Sequence, residues 1–237
     1  MNGIERIDGL FVLTDNDIYV AEGTQIYRSI AANNTVEPVA EYCFGCIHIF
    51  IAINNVIYCS TGSDHLVITK PLHNDSNIVT IVAGVGLKGS NENMLNYPHG
   101  IFINTNLDLY VADRENDRIQ LFHAGEINGK TVVARNDTSF CQLIEPIGVV
   151  LDINNQLYIV LAPNSRIFRQ THYGCHCIAD CYPTSDDHIP YQFEIRNIAF
   201  DRFGNIYVTN LEQQYIRKFS LSKNICNNII SKIINVS

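Results

Sequence analysis

Five segments of the chain repeat one pattern, and this repeat restricts the fold more than any other feature of the sequence. Each copy has a tyrosine in its second apolar run, at Tyr19, Tyr58, Tyr110, Tyr158 and Tyr207; ten residues earlier a first apolar run opens, at Gly9, His48, Gly100, Gly148 and Asn197. The tyrosines lie 39, 52, 48 and 49 residues apart, so the period varies while the ten-residue offset does not. Self-similarity at such a period means that each copy is one supersecondary unit and that the units stack.

The content of each unit follows from its residues. Between the first two runs stand "TDND", "INN", "NTN", "INN" and "RFGN". Asn, Asp and Gly tolerate the positive φ that tight hairpin turns need. The flanking runs are short and rich in Ile, Val, Phe and Tyr, which is strand chemistry rather than helix chemistry. A third run follows, as in "RIQLF" and "YIRKF", and a weaker fourth, as in "TIVAG" and "TVVA". Four short strands per period is the signature of a β-propeller blade. First runs such as "GIFI" and "IGVVL" are apolar throughout, as expected of inner strands covered on both faces. The expected fold is all-β: a single propeller domain over 1–237, with blades at about 4–40, 46–83, 98–134, 146–182 and 195–237.

The third copy carries a more specific signal. "AGVGLKGSNENMLNYPHGIFI" joined to "LYVADRENDRIQLF" resembles the NHL-repeat propellers: a Gly-containing loop, then Leu, Pro and Gly before strand one, then Tyr-Val-Ala-Asp, Asn and Arg-Ile-Gln. The other copies depart from it. Copy one has a shortened break ("EGTQ"), copy two lacks Asp and Arg in "STGSDHLV", and copy four keeps only "NSRI". The resemblance implies a cysteine-bearing, secreted NHL-like propeller. Members of the family commonly have six blades, so five copies imply a five-bladed ring or part of a six-bladed one. The chain opens almost at the first inner strand and ends in "NIISKIINVS", a fourth strand for copy five, so no strand exchange between the termini is expected.

Charge and cysteine content narrow the function. Some NHL propellers bind RNA through a basic face, but a formal charge of -8 without a basic run argues against a nucleic-acid partner, because phosphate neutralisation supplies most of that affinity. No stretch is long and apolar enough for a membrane helix, and no membrane insertion is expected. "MNGIERIDGL" contains no signal-peptide apolar region. Eight cysteines point to disulfides and an oxidising compartment, so the expected location is extracellular or in the secretory pathway, with the cytoplasm as the alternative. Sequons at Asn33, Asn74, Asn136 and Asn235 are compatible with secretion and are near the number expected by chance.

Three motifs invite chemical readings. "GVGLKG" satisfies G-x-G-x-x-G at Gly84, Gly86 and Gly89, but a dinucleotide site requires a helix to follow, and Pro98 arrives too soon. It reads as the connection between two blades. "CHCIADC", with Cys175, Cys177 and Cys181 near His172, His176 and His188, lacks a second paired cluster for zinc. Cys43 and Cys46 have the spacing but lie two blades away. Disulfides tying Cys175, Cys177 and Cys181 to each other or to Cys141 are the simpler reading. "DRENDR", Asp113 to Arg118, lacks the spacing of a calcium loop and reads as a structural break between strands.

The repeat register itself supplies one more candidate. Inner strands line the channel of a propeller, so the residues that open them could converge at one mouth: Asp8, His48, His99, Arg196 and Asn197. Peptide-amidating lyases that resemble NHL proteins, and calcium lactonases, build metal sites this way. Here the set offers two His and one Asp, with Ile47 and Ile147 where such an enzyme would want further ligands. It reads as a binding mouth with no catalytic residue, no metal ligand and no cofactor, axial calcium or zinc being the alternative. The expected function is a non-catalytic binding or scaffold module presenting variable loops, the excursion from His172 to Gln192 among them, to a protein or glycan partner. The alternatives are a metal-dependent lyase or lactonase using the axial site and the substrate-recognition propeller of a ubiquitin-ligase-like protein.

Overall fold

Among the described residues, short β-branched and aromatic runs separated by turn residues form twenty strands, which pair as five four-stranded antiparallel sheets in simple up-and-down order. The structure, a computed structural model, describes residues 8–13, 17–30, 32, 35–41, 45–72, 78–135, 143–162, 166–171, 174–179, 195–201, 203–210, 215–221 and 229–235; of 40–41, 195–196, 210, 215, 221 and 229–235 it describes the backbone alone. Blade 1 holds β1 (Gly9–Val12), β2 (Ile18–Glu22), β3 (Gln25–Ile30) and β4 (Thr35–Glu41); blade 2 holds β5 (His48–Ile51), β6 (Val56–Thr61), β7 (Leu66–Pro71) and β8 (Thr80–Ala83). Blade 3 holds β9 (Pro98–Ile103), β10 (Leu109–Asp113), β11 (Arg118–Phe122) and β12 (Lys130–Ala134). Blade 4 holds β13 (Pro146–Leu151), β14 (Leu157–Leu161), β15 (Ile167–Thr171) and β16 (Gly174–Ala179), and blade 5 holds β17 (Ile195–Phe200), β18 (Ile206–Asn210), β19 (Tyr215–Leu221) and β20 (Ile229–Asn235). Two compact units are present, Met1–Asn116 with Gln120–Thr131, and Asp117–Ile119 with Val132–Ser237.

The ten-residue offset has a direct cause in the strand register. Each repeat tyrosine pairs with the residue two places after the opening of its inner strand: Tyr19 with Phe11, Tyr58 with Phe50, Tyr110 with Phe102, Tyr158 with Val150 and Tyr207 with Ala199. A constant offset is what five hairpins of one register must give.

The hairpins close in one way. The N–H at the first turn position donates to the carbonyl four residues on, from Leu13 to Asp17, Ala52 to Val56, Asn104 to Asp108, Asp152 to Gln156 and Asp201 to Asn205, at 3.0 to 3.1 Å. In the last four a second bond closes a tight turn inside the first, and the residue that follows it is left-handed: Asn55 (φ 59), Leu107 (φ 66), Asn155 (φ 59) and Gly204 (φ 80). This is a turn followed by a single left-handed residue, the three-residue hairpin loop for which Asn and Gly are suited. Asn104, Asp152 and Asp201 strengthen it, each side-chain oxygen accepting two backbone N–H groups of its own turn at 2.8 to 2.9 Å.

In blades 2 and 3 the inner strands are covered on both sides. Ile49 and Ile51 join Tyr19, Ala21, Ile26, Ile57 and Ile68 in one apolar cluster. The intervening Phe50 packs against a second cluster with Tyr58, Val67, Ile101, Ile103 and Val111. Phe11, Phe50 and Phe102 run ring to ring across the three inner strands, with centroids 4.9 and 5.3 Å apart. A side chain at Gly9 would place its Cβ 3.0 Å from the Ile49 nitrogen and 3.1 Å from the His48 Cα, so close approach of β1 and β5 explains the glycine. Blade 1 departs from the expectation of inner strands covered throughout: Leu10 and Val12, at the register positions of Ile49 and Ile51, are exposed.

A disulfide joins Cys46 to Cys59, tying the approach to β5 onto β6 with Cα atoms 5.5 Å apart. Cys175 and Cys177 of β16 are also disulfide-bonded. Within the excursion from His172 to Gln192, Gly174–Ala179 forms a strand that completes the edge of blade 4. The rest of it, with His172, Cys181 and His188, lies outside the described residues, as do Cys43, Cys141 and the sequons Asn33, Asn74 and Asn136. Among the described residues no helix is long and apolar enough to cross a membrane.

Candidate functional site

The five residues expected at the openings of the inner strands have different surroundings. Asp8 stands just before β1 and turns towards its own blade: its N–H donates to the Ala21 carbonyl at 2.9 Å, and its carboxylate accepts from the Gly23 N–H at 3.3 Å. His48 opens β5 opposite Ser60 and is 8% exposed, and His99, the second residue of β9, is 3% exposed. The Ser60 hydroxyl joins them through the backbone, with the His99 carbonyl at 2.5 Å and the His48 carbonyl at 3.5 Å. In the second unit, Asn197 of β17 accepts from the Ile198 N–H at 2.7 Å. The backbone of Arg196 runs in the same strand, and its side chain lies outside the description. Among the described residues no group of three or more His, Cys, Asp or Glu side chains is placed to hold a metal ion, so Asp8, His48 and His99 do not form a common ligand set.

The break "DRENDR" is held by its own polar side chains. Asp113 is fully buried; its carboxylate accepts from the Asn96 N–H at 2.6 Å and from the Asn116 amide at 2.7 Å, and the same amide reaches the Gly89 carbonyl at 2.8 Å. One acidic and one amide side chain thus fix the turn after β10, the start of β9 and the preceding connection. That uses both residues for folding, since a buried carboxylate needs its acceptor capacity filled. Asp117, left-handed at φ 51, accepts from the Glu145 N–H at 2.7 Å and pairs with Arg135 at 2.9 Å.

"GVGLKG" opens no helix. Gly84 (φ +87) passes so close to blade 2 that a Cβ there would lie 2.2 Å from the His65 carbonyl oxygen, and Lys88 bridges to Leu95 within the same connection. Gly84 serves the close approach to the His65 turn, Gly86 supplies a positive φ in open space, and Gly89 lies against the Met94 side chain.

Ion pairs away from these openings are also structural. Burial pushes the Asp108 carboxyl up, but hydrogen bonds from Asn104 and His123 and the neighbouring His123 ring leave it below its usual range. Asp201 is drawn down to about 2: burial opposes its charge, and the Asn205 amide, the N–H groups of Asn205 and Phe203 and the Tyr207 hydroxyl outweigh burial. Asp17 is buried against Arg28, and that hydrogen bond raises the guanidinium pKa. Burial pushes the hydroxyls of Tyr58, Tyr110 and Tyr158 up, as suits tyrosines that pack rather than exchange protons.

Sequence reasoning misses Ser60 and His65. Aligning the turns after the second strand pairs Thr61 with Asp113 and His65 with Asp117, and this alignment carries the only signal for His65. For Ser60, opposite the opening of β5, the small polar residue is a weak signal.

Comparison with known proteins agrees with this geometry. Residues 95–122, spanning β9 to β11, match the NHL repeat family. No curated protein matches the sequence. Among solved structures the chain is similar to virginiamycin B lyase from Staphylococcus aureus, at 13% identity over 99% of this chain and 71% of that one, with a TM-score of 0.62. It is also similar to the structure of a nidogen/laminin complex, at 16% identity over 97% of this chain and 80% of that one, with a TM-score of 0.71. An auxiliary nutrient binding protein from Bacteroides thetaiotaomicron shares 18% identity over 64% of this chain and 44% of that one, with a TM-score of 0.50. Identities this low carry the fold and no chemistry. The fold is a β-propeller, with five four-stranded blades among the described residues, and the match to the NHL repeat lies in blade 3.

Proposed function

We propose that this single-domain propeller is a binding module of the secretory pathway or cell exterior that presents its hairpin tips to a protein or glycan partner. The hairpin between the first two strands of each blade carries the reading. Its backbone closes in the same way in every copy, while its tip changes from Ile53 and Asn54 to Thr105 and Asn106, to Ile153 and Asn154, and to Phe203. Ile53, Ile153 and Phe203 are 73%, 95% and 74% exposed on turns that the backbone holds rigid. Large apolar side chains on preorganised turns lose little entropy on binding, which is how a fixed scaffold with variable loops gains affinity. A structure of a protein complex and a nutrient-binding protein among the structural neighbours are consistent with the reading. Disulfide-bonded Cys46, Cys59, Cys175 and Cys177 support an oxidising compartment.

The test is cross-linking of the native protein to extracellular proteins and glycans, beside an I53S/I153S/F203S variant whose melting temperature is unchanged. A partner captured by the wild type and lost in the variant supports the module. An identical set of partners from both proteins removes the hairpin tips from the reading. Native thiol titration separates the compartments: eight reactive thiols would favour a cytoplasmic protein.

A further inference from the structure

Among the described residues, three junctions between consecutive blades are fastened by a repeated device whose acceptor differs from one to the next. A left-handed residue in the turn after a blade's second strand accepts a hydrogen bond from a backbone N–H just before the next inner strand. Between blades 1 and 2 the acceptor is the Gly23 carbonyl, bound by the Cys46 N–H at 2.9 Å. Asp117 plays the same part in blade 3, its carboxylate bound by the Glu145 N–H at 2.7 Å. Between blades 2 and 3 the acceptor is a ring nitrogen: His65 Nδ1 receives the Tyr97 N–H at 3.1 Å.

A backbone amide can only donate, so the bond fixes His65 as the neutral tautomer protonated at Nε2. Protonation puts a second hydrogen on the ring and removes the lone pair that holds Tyr97. Both partners are left-handed residues other than glycine, His65 at φ 58 and Tyr97 at φ 55, conformations that persist only where neighbouring contacts hold them. The Tyr97 ring lies against Gly62 and under the Arg114 guanidinium, 5.6 Å away. We propose that His65 is an acid-sensitive latch, and that its protonation loosens the connection before β9 while the carboxylate and carbonyl latches of the other two junctions hold.

The titratable and charged groups on the elements packed around His65 are Asp64 on its own turn, Lys88, Glu92 and Tyr97 on the connection, and Arg114 and Glu115 on the turn that contacts the connection through the bond from the Glu115 N–H to the Asn96 carbonyl. The protonated ring cannot accept from the Tyr97 N–H, so the sign follows from the bond itself: the latch holds while the ring is neutral and is lost once it is protonated.

The experiment compares melting temperatures at pH 7.5 and pH 5.5 for the wild type and for His65→Asn, whose side-chain oxygen can accept from Tyr97 without titrating and whose backbone tolerates the left-handed conformation. The other seven of the eight histidines are common to both proteins, so their contribution cancels. The wild type is expected to lose about 2–4 °C more than the variant on acidification, the scale of one hydrogen bond in a domain of this size. Protection of the Tyr97 amide from hydrogen exchange, corrected for intrinsic rates, should fall in the wild type alone. Parallel melting curves, or a Tyr97 amide equally protected at both pH values, would overturn the proposal. His65→Asp, the acceptor type of the following junction, serves the same comparison if His65→Asn does not fold, and the Tyr97 amide of the wild type is decisive by itself.

Discussion

The Ser60 hydroxyl lies 2.5 Å from the His99 carbonyl oxygen, a bond that crosses from the second strand of blade 2 to the inner strand of blade 3. Ser60 is fully buried, so its removal leaves a main-chain carbonyl without this donor and with no water to replace it. Ser60→Ala is expected to cost about 1–3 kcal/mol in urea unfolding. An unchanged midpoint would mean that this contact contributes nothing to the junction.

Gly84 and Gly86 separate two reasons for a glycine. Both have positive φ, +87 and +75, but only Gly84 would drive a Cβ into backbone, the His65 carbonyl at 2.2 Å; at Gly86 nothing lies within 4 Å. Gly86→Ala should cost about 1 kcal/mol, the conformational penalty alone, and Gly84→Ala clearly more, because two chain segments must move apart. Equal losses by calorimetry would contradict the close passage of the connection over blade 2.

The blade register is legible in the sequence because a single physical constraint, one hairpin geometry, acts on every copy. Tyr58 faces Phe50 and Tyr158 faces Val150, each eight residues away and two past the opening of the inner strand, so the ten-residue offset already contains the contact. The openings are less legible. Gly9 and Gly148 report the close approach of neighbouring inner strands, Gly148 facing Ile198, and in blade 2 His48 occupies the same register position. A polar residue there looks like channel lining in one dimension and is 8% exposed in three. Side-chain burial depends on the neighbouring blade, which is distant in sequence, and no local pattern records it. The pairing of Cys46 with Cys59 is hidden for the same reason: strand pairing brings β6 to the start of β5, and no sequence spacing records it.

Asp113 tests whether the break of blade 3 is structural. Its buried carboxylate holds both Asn96 and Asn116, so Asp113→Ala should cost about 2–4 kcal/mol, the range for stranding buried partners of a charged acceptor. Glu115→Ala, on the exposed side of the same turn, should stay within about 0.5 kcal/mol. Ile119→Asp, which buries a charge in the core of the same blade, should prevent folding. Similar destabilisation by the Asp113 and Glu115 variants would argue against the break as a fold element.

Breaking the Cys46–Cys59 disulfide closes the comparison of covalent and non-covalent ties. The bond encloses a loop of sequence separation 13, for which chain entropy predicts about 3 kcal/mol. A C46A/C59A variant should unfold at correspondingly lower urea concentration while keeping the far-ultraviolet spectrum of an all-β protein. Wild-type stability in the variant would remove the disulfide from the set of contacts that hold blade 2.

Asp201 gives the protein a defined acid response. Its carboxyl is held at about 2 in the folded chain, against an unfolded value of about 3.9, so the folded state favours the charged form. A depressed folded value means stability that is fully present above the unfolded value and is lost as pH falls from about 5 towards 2. The carboxylate is partly solvated, which limits its contribution to no more than about 2 kcal/mol at neutral pH. Asp201→Asn retains an oxygen that can accept from the Phe203 and Asn205 N–H groups and loses the charge together with the oxygen that accepts from the Asn205 amide and the Tyr207 hydroxyl, so only the pH-dependent part of its effect reports the charge. Unfolding free energies of wild type and variant should differ at pH 7 and converge towards pH 2.5. A difference that stays constant across that range would assign the role of Asp201 to its hydrogen-bond geometry and not to its charge.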